Sequence, residues 1–215
     1  MATVDSDDSF KAKIQYLARD DQHQRVKPYY LYFEYDSKIA PTNTAADDRF
    51  VHIRNARNLG IPPAEMFFEW GFAQLRLDCP LTPEEYYYDK IVEEILYPKY
   101  KSIARFLFPN AARVEILEHA VRKRHPLWLS EDLQRHELKT NQPSDYVHIV
   151  DYASQATAMD IVTRDYVNEN TRIYFDEKHK WYYWHGLQVD EVIAFVQADS
   201  QAENRAGMMD YTPIF

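Results

Sequence analysis

His179-Lys-Trp-Tyr-Tyr-Trp-His185, with Asp190-Glu-Val-Ile-Ala-Phe-Val-Gln-Ala-Asp-Ser200 after it, decides the fold. Successive side chains of an extended chain point to opposite faces, so His179, Trp181 and Tyr183 share one face and Tyr182 and Trp184 the other. Upstream, Arg172-Ile-Tyr-Phe175 leads into the polar turn Asp176-Glu-Lys, and the spacing predicts a hairpin with arms at 172–175 and 180–184. The apolar run from Val192 to Val196 reads as a central strand.

The same period of two recurs toward the N-terminus. Phe10, Ala12, Ile14 and Tyr16 alternate with polar residues, and residues 29–35 are dense in aromatics on alternating faces. Residues 51–57, 72–77, 114–121 and 146–152 read as further short strands. One helical region interrupts them at 83–107. Thr82 offers an N-cap, Pro83 suits the first helical position, and Glu84 and Glu85 complement the first turn. Pro98 is expected to interrupt that helix. Residues 126–144 carry prolines and polar groups and read as a linker or lid. The expectation is one domain over 1–215, α+β but mainly β: a distorted jelly-roll sandwich with a helical insertion.

Composition narrows the function classes. The 215 residues hold 17 Tyr and 4 Trp but only 4 Gly, and the net charge is -9. Phosphate-cradling glycine loops are absent from the sequence. The acidic balance argues against nucleic acid, which needs a basic face. A single cysteine, Cys79, rules out an internal disulfide framework. No stretch has the length and apolarity of a membrane span, so a cytoplasmic location is expected. A homodimer is compatible with the chain.

Several motifs stand in a recognisable order: Lys27-Pro-Tyr-Tyr30, Val51-His-Ile-Arg-Asn-Ala-Arg57, Gly71-Phe72, Glu118-His-Ala-Val-Arg-Lys-Arg124, Asp145-Tyr-Val-His-Ile-Val-Asp-Tyr152 and the aromatic run above. Together they resemble a fungal secondary-metabolism family, the hydroxylase/desaturase group similar to the small cephalosporin methoxylase subunit. That resemblance implies a double-stranded β-helix and iron and 2-oxoglutarate chemistry, with His179 at the place of the distal iron ligand. Such sites need a His-x-Asp/Glu pair plus a distant His. The eight histidines are His23, His52, His119, His125, His136, His148, His179 and His185, and none has Asp or Glu two residues on. The segment that carries the pair in the family is shortened here. A metal-free descendant of the scaffold is therefore expected, with no cofactor.

Candidate site residues follow. Arg54 and Arg57 on one strand, and Arg122 and Arg124 on another, are candidate carbonyl clamps, with His119 and His179 as acid or base. His52, Phe72, Trp181 and Tyr183 are candidate walls of an aromatic substrate cavity. The resemblance extends to cofactor-free enzymes of tropolone–sesquiterpene pathways. It implies dehydration of a hydroxylated polyketide to a quinone methide, then hetero-Diels–Alder addition to a terpene alkene. An iron-dependent hydroxylase or desaturase, and a non-catalytic accessory subunit, are the competing readings.

Overall fold

The computed structural model describes residues 8–33, 38–126, 148–149 and 156–196. Expectations on residues 127–144 and on the C-terminal tail lie outside the described residues. Among the described residues three sheets are formed. In the first, β1 (Phe10–Leu17) runs antiparallel to β3 (Ala46–Asn55), and β3 runs parallel to β8 (Trp181–Tyr183). In the second, β2 (Tyr29–Leu31), β6 (Ala156–Val162), β7 (Val167–Ile173) and β5 (His148–Ile149) lie in the order β2-β6-β7-β5. The third pairs β4 (Phe72–Arg76) with β9 (Glu191–Phe195).

The first two sheets face each other and join at a bridge between Leu17 and Tyr174. Their core is the alternating set read from the sequence: Ile14, Tyr16, Ile53 and Trp181 from one sheet and Ile173 from the other. Phe10, Ala12, Val51, Phe175 and Tyr183 pack around them. Burying such side chains supplies most of the drive to fold. The protein is thus mainly β, a distorted jelly-roll sandwich with helices beside it.

Those helices differ from expectation. α1 (Pro63–Trp70) starts on Pro62-Pro63 and stops at Gly71. Gly71 has φ 74° and donates its amide to the Phe67 carbonyl at 2.9 Å, a left-handed cap that suits glycine. α2 is Asp89–Leu107, not 83–107. The Glu85 carboxylate accepts from both the amide and the hydroxyl of Thr82, at 2.8 and 3.0 Å, so Thr82 caps no helix; a short 3-10 turn at Glu85–Tyr87, with Glu84 at its N-cap, follows instead. Pro98 lies inside α2 without ending it. An interior proline costs about 3 kcal/mol. Val92, Leu96 and Leu107 are buried along the helix and offset that cost.

Three further expectations are corrected. β7 and β8 belong to different sheets, so the predicted hairpin is instead a crossover. Among the described residues β9 pairs only with β4, in a two-stranded ribbon, and is not a central strand. Residues 114–121 form no strand, although Val114 and Ile116 alternate as one would; only Arg122, beyond them, makes a bridge. No helix among the described residues is long and apolar enough to cross a membrane.

Candidate functional site

Along β3 the parity of the strand puts Asp47, Arg49, Val51, Ile53 and Asn55 on one face. The register sets Asp47 opposite Tyr16, Arg49 opposite Ile14 and Val51 opposite Ala12. That face is the sandwich interior. It is buried at Ile53 and opens toward Arg49, so a charged pair occupies core-parity positions where the core meets solvent. Charged side chains rarely take such positions without a partner. Here a cleft of about 270 Å3 opens, lined by Ala18, Arg19, Ala46, Asp47, Arg49 and Phe175.

Both arginines in the cleft lie on aromatic rings. The guanidinium carbon of Arg19 is 4.4 Å from the Tyr174 ring centroid, and that of Arg49 is 4.6 Å from that of Phe175. Such stacking orients a guanidinium, whose in-plane N–H groups donate to oxygens. Arg49 donates Nε–H and Nη2–H to the two oxygens of Asp47, at 2.7 and 2.9 Å. The cleft therefore offers preset donors, a carboxylate and an aromatic wall.

Directly beneath lies Tyr16, fully buried, with Phe175 edge-on at 5.4 Å. Trp181 donates Nε1–H to the Tyr16 oxygen at 2.9 Å, and His179 Nδ1 is 3.3 Å from the same oxygen. Indole N–H can only donate, so the buried phenol hydrogen must find an acceptor elsewhere. His179 Nδ1 is the one at hand among the described residues. The arrangement thus favours the His179 tautomer that carries its hydrogen on Nε2. The imidazole also stacks on the Tyr16 ring at 5.6 Å and 11°.

Burial pushes the Tyr16 phenol up to about 12, against the Trp181 hydrogen bond and with help from Asp176 and Asp47. The neutral phenol is the form the fold prefers. Its contribution to stability is complete below about pH 10, the ordinary tyrosine value, and is lost as pH rises through about 12. The expected result is a loss approaching 1.4 kcal/mol per pH unit in that window. Urea unfolding at several alkaline pH values, with Tyr16→Phe as reference, measures it; parallel slopes for the two proteins would contradict the assignment.

The other sequence-derived candidates are scattered. Trp181 and Tyr183 join the sandwich core, while Phe72 packs with Tyr182 and Trp184 in a separate aromatic group, at 5.9 and 5.5 Å. They therefore do not form one cavity wall. His52 lies on the outer face of β3, with Nε2 2.7 Å from the Ser9 hydroxyl. Arg54 is exposed beside it. Arg57 is a structural staple: it donates Nη1–H and Nη2–H to Glu191 at 3.2 and 2.6 Å and Nε–H to the His185 carbonyl at 2.7 Å. His119 sits against α2, with Nδ1 2.8 Å from the Tyr97 hydroxyl and Nε2 3.3 Å from Asp89. Arg122 and Arg124 are exposed and do not line the cleft. Arg19, Asp47, Arg49 and Phe175 were not foreseen. The signal available was parity, since Asp47 and Arg49 continue the spacing of Val51 and Ile53.

An iron centre needs three clustered ligands, and among the described residues no group of three His, Cys, Asp or Glu could hold a metal. His179, the implied distal ligand, has its Nδ1 on the Tyr16 phenol. The described residues there do not supply a facial iron triad.

The described residues form a mainly β sandwich with helices beside it. The chain belongs to the family described as the oxidoreductase/YMDC permease-like domain, whose profile matches residues 14–159 and 149–214. Among solved structures it is similar to the iron and alpha-ketoglutarate-dependent endoperoxidase NvfI. The TM-score is 0.67 and identity 13%, over 89% of this chain and 85% of that one. A second structure of NvfI, in a different conformation, gives 0.63 and 12% over the same shares. Identities this low establish the fold alone. Curated proteins provide no match.

Proposed function

We propose that this protein is a cofactor-independent cyclase of secondary metabolism. It dehydrates a hydroxylated, tropolone-type polyketide to a quinone methide and assists hetero-Diels–Alder addition of that species to a terpene alkene. The observation that carries this reading is a fold shared with an iron enzyme, combined with a donor set among the described residues that does not suit iron. In place of a metal, the cleft offers groups that polarise oxygen. Arg49 and Arg19 draw electron density from the ring carbonyl, a role suited to preset donors in a partly enclosed site. Asp47, the carboxylate of the cleft lining, takes up or returns a proton as water leaves. Holding diene and alkene together contributes about 7–11 kcal/mol through orientation alone.

The shared fold also favours a second reading, an iron-dependent hydroxylase or desaturase. The two differ in mass balance. Chelator-treated protein, held without oxygen, is expected to convert a tropolone-type alcohol and an alkene into an adduct of their summed mass less one water. Turnover that appears only with added iron, 2-oxoglutarate and oxygen would establish the oxygenase reading instead.

A further inference from the structure

We propose that Arg49 is an exchangeable oxyanion clamp, so that the cleft takes a planar organic acid, an aromatic carboxylate or a vinylogous acid. The ligand's two oxygens replace those of Asp47 on the guanidinium, and its ring packs against Phe175.

Arg49 and Asp47 make a two-pronged contact at 2.7 and 2.9 Å, the geometry an external carboxylate adopts on arginine. Asp47 therefore already occupies the ligand's place. The contact joins residues two apart on one strand, so exchange breaks no long-range tie. It is also half-exposed, with Asp47 at 25% and Arg49 at 47%, so a displaced Asp47 carboxylate regains water. Exposed pairs of this kind are weak, and an incoming acid has little to overcome. The Phe175 ring fixes the guanidinium plane, which stays preset through the exchange.

Two further observations bear on the ligand class. Arg19 also lines the cleft, with its guanidinium carbon 4.4 Å from the Tyr174 ring centroid, so a second arginine borders the place of the incoming acid. At about 270 Å3, with an aromatic wall, the cleft holds one ring and its substituents.

The inference deepens the cyclase reading, because a tropolone-type ring is a vinylogous acid, and the two can fail separately. Benzoate and its neutral counterpart benzamide are titrated into the full chain, followed by calorimetry and by the Arg49 Nε–H resonance. Benzoate is expected to bind at least about tenfold more tightly than benzamide, as hydrogen bonds to a charged acceptor require. Asp47→Asn removes the internal competitor and is expected to tighten benzoate by up to about fivefold, the scale of one exposed pair. Arg49→Gln is expected to weaken it by about tenfold or more. Equal binding of the two probes overturns the proposal, as does unchanged or weaker benzoate binding by folded Asp47→Asn. Should Asp47→Asn not fold, the wild-type resonance decides: it must move with benzoate and stay with benzamide. Benzoate binding without any adduct formation keeps the clamp and removes the cyclase, and adduct formation without benzoate binding does the reverse.

Discussion

Trp181→Ala is expected to lower the unfolding free energy by about 3–5 kcal/mol, the range for deleting a large buried aromatic. β8 is only three residues long and runs parallel to β3, with Ile53 opposite Trp181. So short a strand contributes few backbone bonds, and its attachment rests on what its side chains bury. Trp181 is 9% exposed and belongs to the cluster of Ile14, Tyr16, Ile53 and Ile173 that joins the two sheets. Its removal leaves a void in that cluster. It also takes away the indole donor to the Tyr16 oxygen, leaving a buried phenol with one partner fewer. Trp181→Phe keeps most of the volume and loses that donor, so it should cost less, about 1 kcal/mol beyond the change in packing. Urea unfolding of the three proteins gives both numbers. A loss under about 1.5 kcal/mol for the alanine variant would mean that the sandwich interior is not built around this ring.

What the sequence disclosed is the part of the fold that period-two alternation encodes. Phe10, Ala12, Ile14 and Tyr16 point inward as read, and Tyr182 and Trp184 leave the core to Trp181 and Tyr183. Pairing between distant strands is not written in local pattern. The parallel match of β3 to β8 therefore stayed hidden, and a local hairpin looked sufficient. Residues 114–121 show the converse error. Alternation makes a segment able to be a strand, but a strand also needs an edge to pair with. This one instead lies along α2, where Tyr97 and Asp89 hold His119. β3 extends back to Ala46 through Asp47-Asp48-Arg49, a charged run that reads as loop by composition. Its inward parity at the open end of the sandwich is what makes it a candidate site, and parity there is visible only once the register with β1 is known. The resemblance gave the fold, and shared ancestry of scaffold does not give chemistry.

Among the arginines, Arg49 is expected to matter most to turnover. Removing one preset donor to a developing oxyanion lowers rates by about a hundred- to a thousandfold, or about 2.7–4 kcal/mol. Arg49→Ala should fall in that range, because it removes a guanidinium that lines the cleft and is held in plane by Phe175. Arg54, Arg122 and Arg124 are exposed and outside the cleft lining, so their alanine variants should keep rates within about threefold of wild type. Arg57→Ala frees Glu191 and the His185 carbonyl, and should lower the melting temperature while sparing the chemical step of the folded protein. Arg49→Lys separates charge from shape. It keeps the cation but not the planar two-pronged donor set, and an intermediate rate would show that geometry contributes beyond charge. Single-turnover rates with a thermal melt on each variant distinguish loss of chemistry from loss of fold. If Arg49→Ala stays near wild type while Arg122→Ala or Arg124→Ala collapses in rate and remains folded, the reacting carbonyl lies at the 119–124 segment. His119, already hydrogen-bonded between Tyr97 and Asp89, would then be the acid of that site.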